Sequence, residues 1–154
     1  IEHQSIQTRQ NWYRLDEQLR QSIVLLVPVW SKKVIEFDVD MVDVEYMGNE
    51  SLISHVWDNL LSNSVKFSPV GGTIHIRMVP EGKKILFSIE NEGPWISEDA
   101  LKHIFDKFYQ EDSSHKQEGN GLGLALVKQI LNLCKGSITA ENIPDGGCRF
   151  TVTL

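Results

Sequence analysis

The sequence predicts an α/β (α+β) two-layer sandwich, in which a mixed, largely antiparallel sheet carries helices on one face. Several short segments alternate apolar and polar residues like half-buried strands, and longer segments between them repeat apolar residues at helical spacing. The chain has 154 residues, of which 41% are hydrophobic, and this length is sufficient to bury one core. We expect residues 12–154 to form the domain and residues 1–11 to be the remnant of a preceding helix or linker.

The N-terminal part of the domain is predicted to contain a strand, a helix and a second strand. A short strand at 12–15 leads to a helix that Asp16 opens. Pro28 is expected to disturb or end this helix, because proline lacks a backbone N–H and its ring clashes with the preceding turn. Residues 34–40, VIEFDVD, alternate like a half-buried strand.

The best-defined element is a helix over residues 50–67. Asn49 precedes it and is a favourable N-cap residue, and Ser68-Pro69 ends it. A wide apolar stripe along the helix predicts that one face is buried in the core. The stripe consists of Leu52, Ile53, Val56, Trp57, Leu60, Leu61 and Val65.

The second half of the chain is predicted to contain two strand pairs. Residues 73–79 and 85–91 alternate as a hairpin that turns across Glu81-Gly82. Residues 137–142 and 148–154 form the last pair and turn at Asp145-Gly146-Gly147.

Two helices are predicted between these strand pairs. Ser97 caps the first helix, and the polar residues 110–118 separate it from the second. The second helix follows a glycine-rich stretch and runs to Lys135, with Gly136 as its C-cap. The apolar residues of the first helix are Leu101, Ile104, Phe105 and Phe108.

The glycine-rich stretch is a candidate phosphate site. Gly119, Gly121 and Gly123 expose backbone donors beside the positive end of a helix dipole, which suits a phosphate group. A flexible hinge between a loop and a core helix is the alternative. The dinucleotide fingerprint is excluded because Leu124 stands where its third glycine would be. A P-loop and the motifs of eukaryotic-type protein kinases are absent from the sequence.

A row of polar residues lies on one face of the 50–67 helix, beside the apolar stripe. His55, Asn59, Asn63 and Lys66 recur at spacings of one helical turn. Asparagine amides can ligate Mg²⁺ through oxygen and donate to phosphate through nitrogen, so this row suits a metal-bound polyphosphate. A solvated helix edge remains the alternative.

Charge and composition argue against several other classes of protein. The formal net charge of −6 disfavours nucleic acid and anionic membranes as partners. No apolar run approaches the ~20 residues that a membrane-spanning helix needs. Cys134 and Cys148 form no CxxC pair and are expected to be structural thiols.

Four segments resemble, in order and spacing, the N, G1, F, G2 and G3 boxes of the sensor histidine kinase ATP-binding domain. This domain belongs to the GHKL, or Bergerat-fold, superfamily. The resemblance covers residues 12–154 and implies that ATP and Mg²⁺ are the ligands. The segments are HVWDNLLSNSVKFS, NEGPWISEDALKHIFDKFYQ, EGNGLGLALVKQIL and GGCRF.

The resemblance also implies roles for individual residues. Asn63 matches the Mg²⁺ ligand, and Asn59 matches its partner near the phosphates. Asn91 matches the residue that reads the adenine amino group, Gly93 makes room for the base, and residues 110–118 match the lid. The implied nucleotide-binding residues are Asn59, Asn63, Lys66, Phe67, Asn91, Gly93, Ile96, Phe105, Phe108, Gly119, Gly121, Leu122, Gly123 and Leu124.

Four positions depart from the family pattern. Asn91 replaces the usual aspartate and loses the charge that strengthens its hydrogen bond to adenine. Trp95 replaces the second G1 glycine, and it either packs outward or narrows the adenine pocket. Gln110 stands where many members carry a basic lid residue, and Cys148 replaces a threonine.

The activity that the resemblance implies is transfer of the ATP γ-phosphate to a histidine. Because His3, His55, His75, His103 and His115 all lack the family's acceptor context, the acceptor is expected on an upstream dimerisation segment, of which residues 1–11 would be a remnant. The phosphoryl group would then pass to an aspartate of a response regulator. We expect the full-length protein to be a homodimeric sensor in a bacterial inner membrane, with this domain in the cytoplasm.

Three alternatives to a kinase are open. An ATP hydrolase of the same superfamily is disfavoured, because Asn59 stands where those enzymes carry a glutamate base. A degenerate nucleotide-binding regulatory module with little or no kinase activity is favoured by the departures in G1, Asn91 and Trp95, and in the lid, Gln110. A pure protein-interaction domain predicts that Asn63→Ala leaves nucleotide affinity unchanged.

Overall fold

The computed structural model describes residues 9–107, 109 and 123–154. Within these ranges, two sheets and five α-helices are formed. The strands are β1 (Asn11–Arg14), β2 (Glu36–Met41), β3 (Glu45–Gly48), β4 (Thr73–Glu81), β5 (Lys84–Asn91), β6 (Ser137–Asn142) and β7 (Cys148–Thr153). The helices are α1 (Leu15–Leu25), α2 (Val27–Trp30), α3 (Glu50–Phe67), α4 (Glu98–His103) and α5 (Gly123–Leu133).

The main sheet has five strands in the order β2-β4-β5-β7-β6. β2 runs parallel to β4, and every other neighbouring pair is antiparallel. The sheet is therefore mixed and largely antiparallel, which confirms the prediction. The register places Asn91, at the end of β5, and Asn142, at the end of β6, on either side of Cys148 at the start of β7.

The helices cover one face of this sheet. Along β4, Ile74, Ile76 and Met78 are buried beneath the helices, whereas His75 and Arg77 between them are exposed on the other face. α3 packs on β5, α5 on β6 and α1 on α3. The core thus lies between one sheet face and the helices, as a two-layer sandwich requires.

Helix α3 has the bounds that the apolar stripe predicts. The Asn49 side chain accepts a hydrogen bond from the Leu52 N–H at 2.9 Å, which confirms the N-cap. Trp57 is fully buried, and its Nε1 donates to Gln18 Oε1 at 2.8 Å. Because the indole N–H has a partner, this large side chain anchors α3 in the core without an unpaired donor.

The C-terminal end of α3 is held by Lys33. Its Nζ donates to three backbone carbonyls, those of Val65, Lys66 and Ser68, at 2.9, 2.8 and 2.9 Å. The last carbonyls of a helix have no partner within the helix, and a cation there also favours the helix dipole. Lys33 therefore fixes the position of the residues that end α3.

A second, two-stranded sheet contains β1, which the sequence predicts, and β3, which it does not. β3 pairs with β1 antiparallel, with Tyr13 opposite Tyr46 and their rings edge to face at 6.0 Å. β3 has only four residues and ends in glycine, so no alternating pattern marks it.

Asp16 does not open the first helix as predicted. α1 begins at Leu15, and Asp16 is buried in its first turn. The carboxylate accepts hydrogen bonds from Arg14 at 2.9 and 2.7 Å, from Arg20 at 2.6 Å and from the Val44 N–H at 3.0 Å. The hydrogen bonds from Arg14 hold the pKa of Asp16 well below its usual range, although burial opposes this shift.

Two predicted bounds, the start of β2 and the β4–β5 turn, need adjustment, whereas the expected effect of Pro28 is confirmed. α1 ends before Pro28 as expected, and Pro28 lies in the first turn of α2, where proline is tolerated. β2 begins two residues later than predicted, because Val34 has a left-handed φ of 56°. The β4–β5 turn lies at Gly82-Lys83, one residue later than predicted.

Helix α4 is shorter than predicted. It is capped by Ser97, whose Oγ accepts from the Ala100 N–H at 3.1 Å, but it ends at His103. Ile104 and Phe105 therefore lie in a turn rather than in the helix. The turn is stabilised by Asp106, whose N–H donates to the His103 carbonyl at 2.9 Å.

The end of α5 was also wrongly predicted. The left-handed residue is Lys135, with a φ of 60°, and not Gly136. The Gly136 N–H donates to the Leu131 carbonyl at 2.8 Å and closes the last turn. A Cβ at Gly136 would lie 2.6 Å from the Thr153 carbonyl oxygen, so close packing against β7 explains this glycine.

No helix in the described ranges combines the length and apolar character needed to cross a bilayer.

Candidate functional site

Asn59 on α3 faces Gly123, the first residue of α5. A Cβ built on Gly123 would lie 2.8 Å from Asn59 Oδ1, which is closer than real side chains approach. Asn59 Nδ2 donates to the His55 carbonyl at 2.7 Å, and this hydrogen bond orients Oδ1 toward α5. The structure therefore brings the first site asparagine against the last of the three glycines.

Asn63 lies one turn further along α3 and is half-buried. Among the described residues, its side chain has no hydrogen-bond partner, and leaving a polar group unpaired costs about 1–3 kcal/mol once it is buried. A neutral amide oxygen is a suitable ligand for Mg²⁺ that also binds phosphate oxygens. The residues present at this position thus fit the implied metal. The described residues contain no cluster of three or more His, Cys, Asp or Glu side chains arranged for a metal.

The end of α3 meets the segment that follows β5. Gly93 has a φ of 130°, and a Cβ there would lie 2.7 Å from the Phe67 carbonyl oxygen. The Lys66 ammonium lies 5.2 Å from the centroid of the Phe67 ring. The glycine therefore allows the close approach that places Lys66 and Phe67 beside residue 93.

Asn91 is buried at the end of β5, with 4% of its surface exposed. Its Nδ2 donates to the Glu92 carbonyl at 3.0 Å, which fixes the orientation of the amide. The Oδ1 atom is thereby left as the acceptor, which is the atom that would read an exocyclic amine. Gly147, with a φ of 91°, packs directly on the backbone carbonyl of Asn91, where a Cβ would overlap it.

Trp95 packs outward and does not narrow the candidate base pocket. Its side chain is 57% exposed, and its Nε1 donates to the Ile143 carbonyl at 2.6 Å. The indole thus lies over the β6–β7 turn. Cys148, at the start of β7, places its Sγ 3.6 Å from the Pro94 carbonyl oxygen.

The remaining described site residues border the same edge of the core. Ile96, Phe105 and Leu124 are half-buried and pack against the buried cluster. The Phe105 ring meets the Phe150 ring edge to face at 6.3 Å. The predicted site residues outside the described ranges are Phe108, Gly119, Gly121 and Leu122, together with the predicted lid at 110–118.

Sequence reasoning missed two residues that support this site. Lys33 holds the end of α3, and Asn142 holds the backbone of Ile96. No sequence signal marks Lys33, since it belongs to a basic pair of the kind that usually lies on the surface, although Lys33 is half-buried in the structure. An asparagine at the end of a strand, just before a Gly-Gly turn, was the available signal for Asn142.

Relatives of known type match most of the chain. The family described as histidine kinase-, DNA gyrase B-, and HSP90-like ATPase matches residues 48–154. The heme sensor protein HssS of Staphylococcus epidermidis is 39% identical over 115 residues, which are 75% of this chain and 24% of that protein. The sensor protein KdpD of Clostridium acetobutylicum is 44% identical over 119 residues, which are 76% of this chain and 13% of that protein. The chain thus spans about a quarter or less of these relatives.

Solved structures match nearly the whole chain. The nucleotide-free catalytic domain of histidine kinase ThkA aligns with a TM-score of 0.86 and 26% identity, over 96% of this chain and 95% of that chain. ThkA in complex with the response regulator protein TrrA aligns with a TM-score of 0.81 and 25% identity, over 94% of this chain and 41% of that chain. These likenesses confirm the fold class that the sequence predicts.

Proposed function

Because the chain belongs to the family of histidine kinase-, DNA gyrase B- and HSP90-like ATPases, we propose that it is the ATP·Mg²⁺-binding domain of a sensor histidine kinase. The sensor proteins HssS and KdpD, at 39% and 44% identity, and the structural likeness to the catalytic domain of histidine kinase ThkA support this narrower assignment. The observation that carries the proposal is the close approach of Asn59 to Gly123: a Cβ built on Gly123 would lie 2.8 Å from Asn59 Oδ1. This approach places the helix that carries the asparagine amides directly against the first residue of the helix that follows the glycine-rich stretch.

The phosphate groups would lie between α3 and the start of α5. Asn63 would ligate Mg²⁺ through its amide oxygen, and Asn59 would contribute its amide beside Gly123. Lys66 would add a positive charge near the C-terminal end of α3. When bound, Mg²⁺ would neutralise part of the negative charge on the phosphates.

The adenine base would lie between the end of β5 and the segment after Gly93. Asn91 Oδ1 would accept a hydrogen bond from the exocyclic amine of adenine. A neutral amide makes a weaker hydrogen bond than the family's usual carboxylate, so the proposal includes a reduced affinity. Because Trp95 packs outward, the base has room despite that substitution.

The proposed reaction is phosphoryl transfer to a histidine on an upstream dimerisation segment. A histidine nitrogen would form a bond to the γ-phosphorus while the bond from that phosphorus to the β–γ bridging oxygen breaks, releasing ADP. The domain would contribute positioning of the phosphate, the main protein contribution in such reactions. The phosphoryl group would pass to a response-regulator aspartate, and the solved complex of ThkA with TrrA supports that partner.

The same relatives support a placement for the whole protein. HssS and KdpD are named sensor proteins, and the chain spans 24% and 13% of them. We propose a full-length homodimeric sensor in the bacterial inner membrane, with this domain on the cytoplasmic side, where ATP is available.

Two alternatives predict different chemistry. Hydrolysis as the main activity is disfavoured, because the neutral amide of Asn59 cannot take a proton from water. The Asn59 Nδ2 group also donates a hydrogen bond to the His55 carbonyl. A regulatory module with little or no kinase activity is favoured by the uncharged Asn91 and by Cys148 at the threonine position. It predicts nucleotide binding without transfer.

Incubation of the full-length protein with γ-labelled ATP and Mg²⁺ tests the proposal. We expect acid-labile, base-stable label on the protein, and its loss in Asn63→Ala. Ser62→Ala, which changes the exposed neighbour of Asn63, is the matched control and should retain label. Saturable ATP binding without label would favour the regulatory module, and no saturable binding at millimolar ATP would contradict the proposal altogether.

A further inference from the structure

Asn142, the last residue of β6, holds the backbone of Ile96 through both ends of its amide. Nδ2 donates to the Ile96 carbonyl at 2.7 Å, and Oδ1 accepts from the Ile96 N–H at 2.9 Å. Turning the amide over would break both hydrogen bonds, so its orientation is defined by its contacts. We call these two hydrogen bonds the clamp. Because Asn142 and Ile96 are 46 positions apart in the chain, the clamp ties two distant segments together.

The two residues before Ile96 are tied to the same part of the fold. Trp95 Nε1 donates to the Ile143 carbonyl at 2.6 Å. The Pro94 carbonyl oxygen lies 3.6 Å from Cys148 Sγ, which can donate to it weakly. Residues 94–96 are thus attached one after another to the β6–β7 turn, which we define as residues 142–148.

The β6–β7 turn also contacts the residue proposed to read adenine. Cys148 lies opposite Asn91 in the β5–β7 register, and Gly147 packs on the Asn91 carbonyl. One tight turn, closed by the Ile143 N–H donating to the Gly147 carbonyl at 2.9 Å, therefore touches Asn91 on one side and residues 94–96 on the other. The distance between Asn91 and residues 94–96 therefore depends on this turn.

We propose that Asn142 is a positioning residue for recognition of the 6-amino group of a purine nucleotide. It acts through Ile96, by holding residues 94–96 at the distance from Asn91 Oδ1 that a base requires. This inference rests on the proposed function and adds to it the residue that sets base selectivity. Without the two hydrogen bonds from Asn142, Ile96 loses its attachment to the turn, whereas Pro94 and Trp95 keep theirs. Ile96 must then be ordered when the base binds, and this ordering cost lowers the affinity for the base that uses Asn91.

ATP and inosine triphosphate separate this role from a purely structural one. The two nucleotides share their sugar and phosphates, but inosine carries an oxygen where adenine carries its 6-amino group, so it cannot donate to Asn91 Oδ1. A variant that only unfolds part of the protein lowers both affinities by the same factor. A variant that misplaces residues 94–96 lowers the affinity for ATP more than that for inosine triphosphate.

The test measures dissociation constants of Mg²⁺·ATP and Mg²⁺·inosine triphosphate for the chain, for Asn142→Ala and for Asn142→Asp. Asn142→Asp keeps the side-chain size but cannot donate to the Ile96 carbonyl, and it covers the case in which Asn142→Ala does not fold. We expect the wild type to prefer ATP by about tenfold, and both variants to lose most of this preference through weaker ATP binding. Asp145→Ala, in the same turn but outside the clamp, should keep the preference.

A second measurement, made without nucleotide, reports directly on the hydrogen bonds between Asn142 and Ile96. Hydrogen exchange of the Ile96 N–H should accelerate in Asn142→Ala, while amides in β4 and β5 keep their wild-type rates. An unchanged ATP preference in either folded variant would overturn the inference and leave the proposed function intact. A wild type with equal affinity for both nucleotides would also overturn it, and a wild type that binds neither would overturn the inference and the proposed function together.

Discussion

The two ends of the candidate pocket are built in different ways. At the base end, Asn91 is 4% exposed, and the neighbouring residues 94–96 are tied to the β6–β7 turn. At the phosphate end, Asn59 and Asn63 are half-buried side chains on one helix face. Within the described ranges Asn59 donates one hydrogen bond, to the His55 carbonyl, and the Asn63 side chain makes none.

This difference indicates which end is complete before a ligand arrives. The base end is assembled from backbone contacts that require glycine at positions 93 and 147. The proposed phosphate end has fewer contacts: among the described residues, Asn59 makes one side-chain hydrogen bond and the Asn63 side chain makes none. Substitutions at the base end should therefore change stability and affinity together, whereas substitutions at the phosphate end should change affinity alone.

The largest effect is expected for Gly93→Ala at the base end. Its φ of 130° disfavours any side chain, and the new Cβ would lie 2.7 Å from the Phe67 carbonyl oxygen. We expect a loss of about 3 kcal/mol in the free energy of unfolding, measured by urea denaturation. Gly82→Ala is the matched control: its φ of 63° is also left-handed, but no atom lies within 4 Å, so the loss should be about 1 kcal/mol. Equal losses would break the claim that the base end is closely packed.

The next effect is expected for Asn63→Ala at the phosphate end. The affinity for ATP in the presence of Mg²⁺ should fall about 100-fold, as expected for a residue that holds a metal. The free energy of unfolding should stay within about 0.5 kcal/mol, because the amide makes no hydrogen bond within the described residues. Calorimetric titration with and without a chelator is the measurement. If Asn63→Ala and wild type still differ 100-fold after Mg²⁺ is chelated, Asn63 does not act through the metal.

Asp16→Asn is expected to destabilise the protein at a position outside the base end and the phosphate end of the candidate pocket. Its carboxylate accepts hydrogen bonds from two arginines and from the Val44 N–H, so the free energy of unfolding should fall by about 2 kcal/mol at pH 7. The affinity of the folded protein for ATP should not change. A loss of ATP affinity in the folded variant would show that remote destabilisation reaches the pocket.

The pH dependence of this contribution has a definite sign. The pKa of Asp16 is held well below its usual range in the folded protein, chiefly by the hydrogen bonds from Arg14. The stabilisation is therefore complete well above the unfolded-state pKa of about 4, and it decreases progressively as the pH falls from there toward the lower folded-state pKa. Between pH 7 and pH 3, the difference in urea midpoint between wild type and Asp16→Asn should become smaller, and a constant difference would contradict this assignment.

The smallest effect is expected for Gly123→Ala. The new Cβ would lie 2.8 Å from Asn59 Oδ1, so the amide must move away from α5. We expect about a fivefold loss of ATP affinity with little change in stability, because alanine also favours the helix. In an Asn59→Ala background the same substitution should have almost no further effect, and a double-mutant cycle measures the coupling. Additive effects would show that the two residues do not act together.

The position of Asn59 and Asn63 on one face of α3 could be predicted from the sequence, because α3 has the predicted bounds and helical spacing alone puts the two residues on the same side. The clamp between Asn142 and Ile96 could not, since it depends on how segments 46 residues apart meet in three dimensions. The three hydrogen bonds from Lys33 to the end of α3 could not be predicted for the same reason, since they join segments that are more than 30 residues apart.

Errors in the element bounds also arose where tertiary contacts outweigh local pattern. The sequence predicts Gly136 as the C-cap of α5, but the absence of a side chain there allows the close approach of Thr153, and Lys135 takes the left-handed conformation. The strand β3 was missed because its four residues are defined only by pairing with β1. In each case the deciding partner lies far away in the chain.

The central claim is that Asn59 and Asn63 face the metal of a bound nucleotide, and Mn²⁺·ATP tests it most directly. Paramagnetic Mn²⁺ replaces Mg²⁺ at oxygen ligands and broadens the NMR signals of nearby nuclei. On saturation with Mn²⁺·ATP, we predict that the side-chain amide signals of Asn63 and Asn59 disappear, while those of Asn11 and Asn132 persist. Intact Asn63 and Asn59 signals in a fully saturated protein would contradict the account.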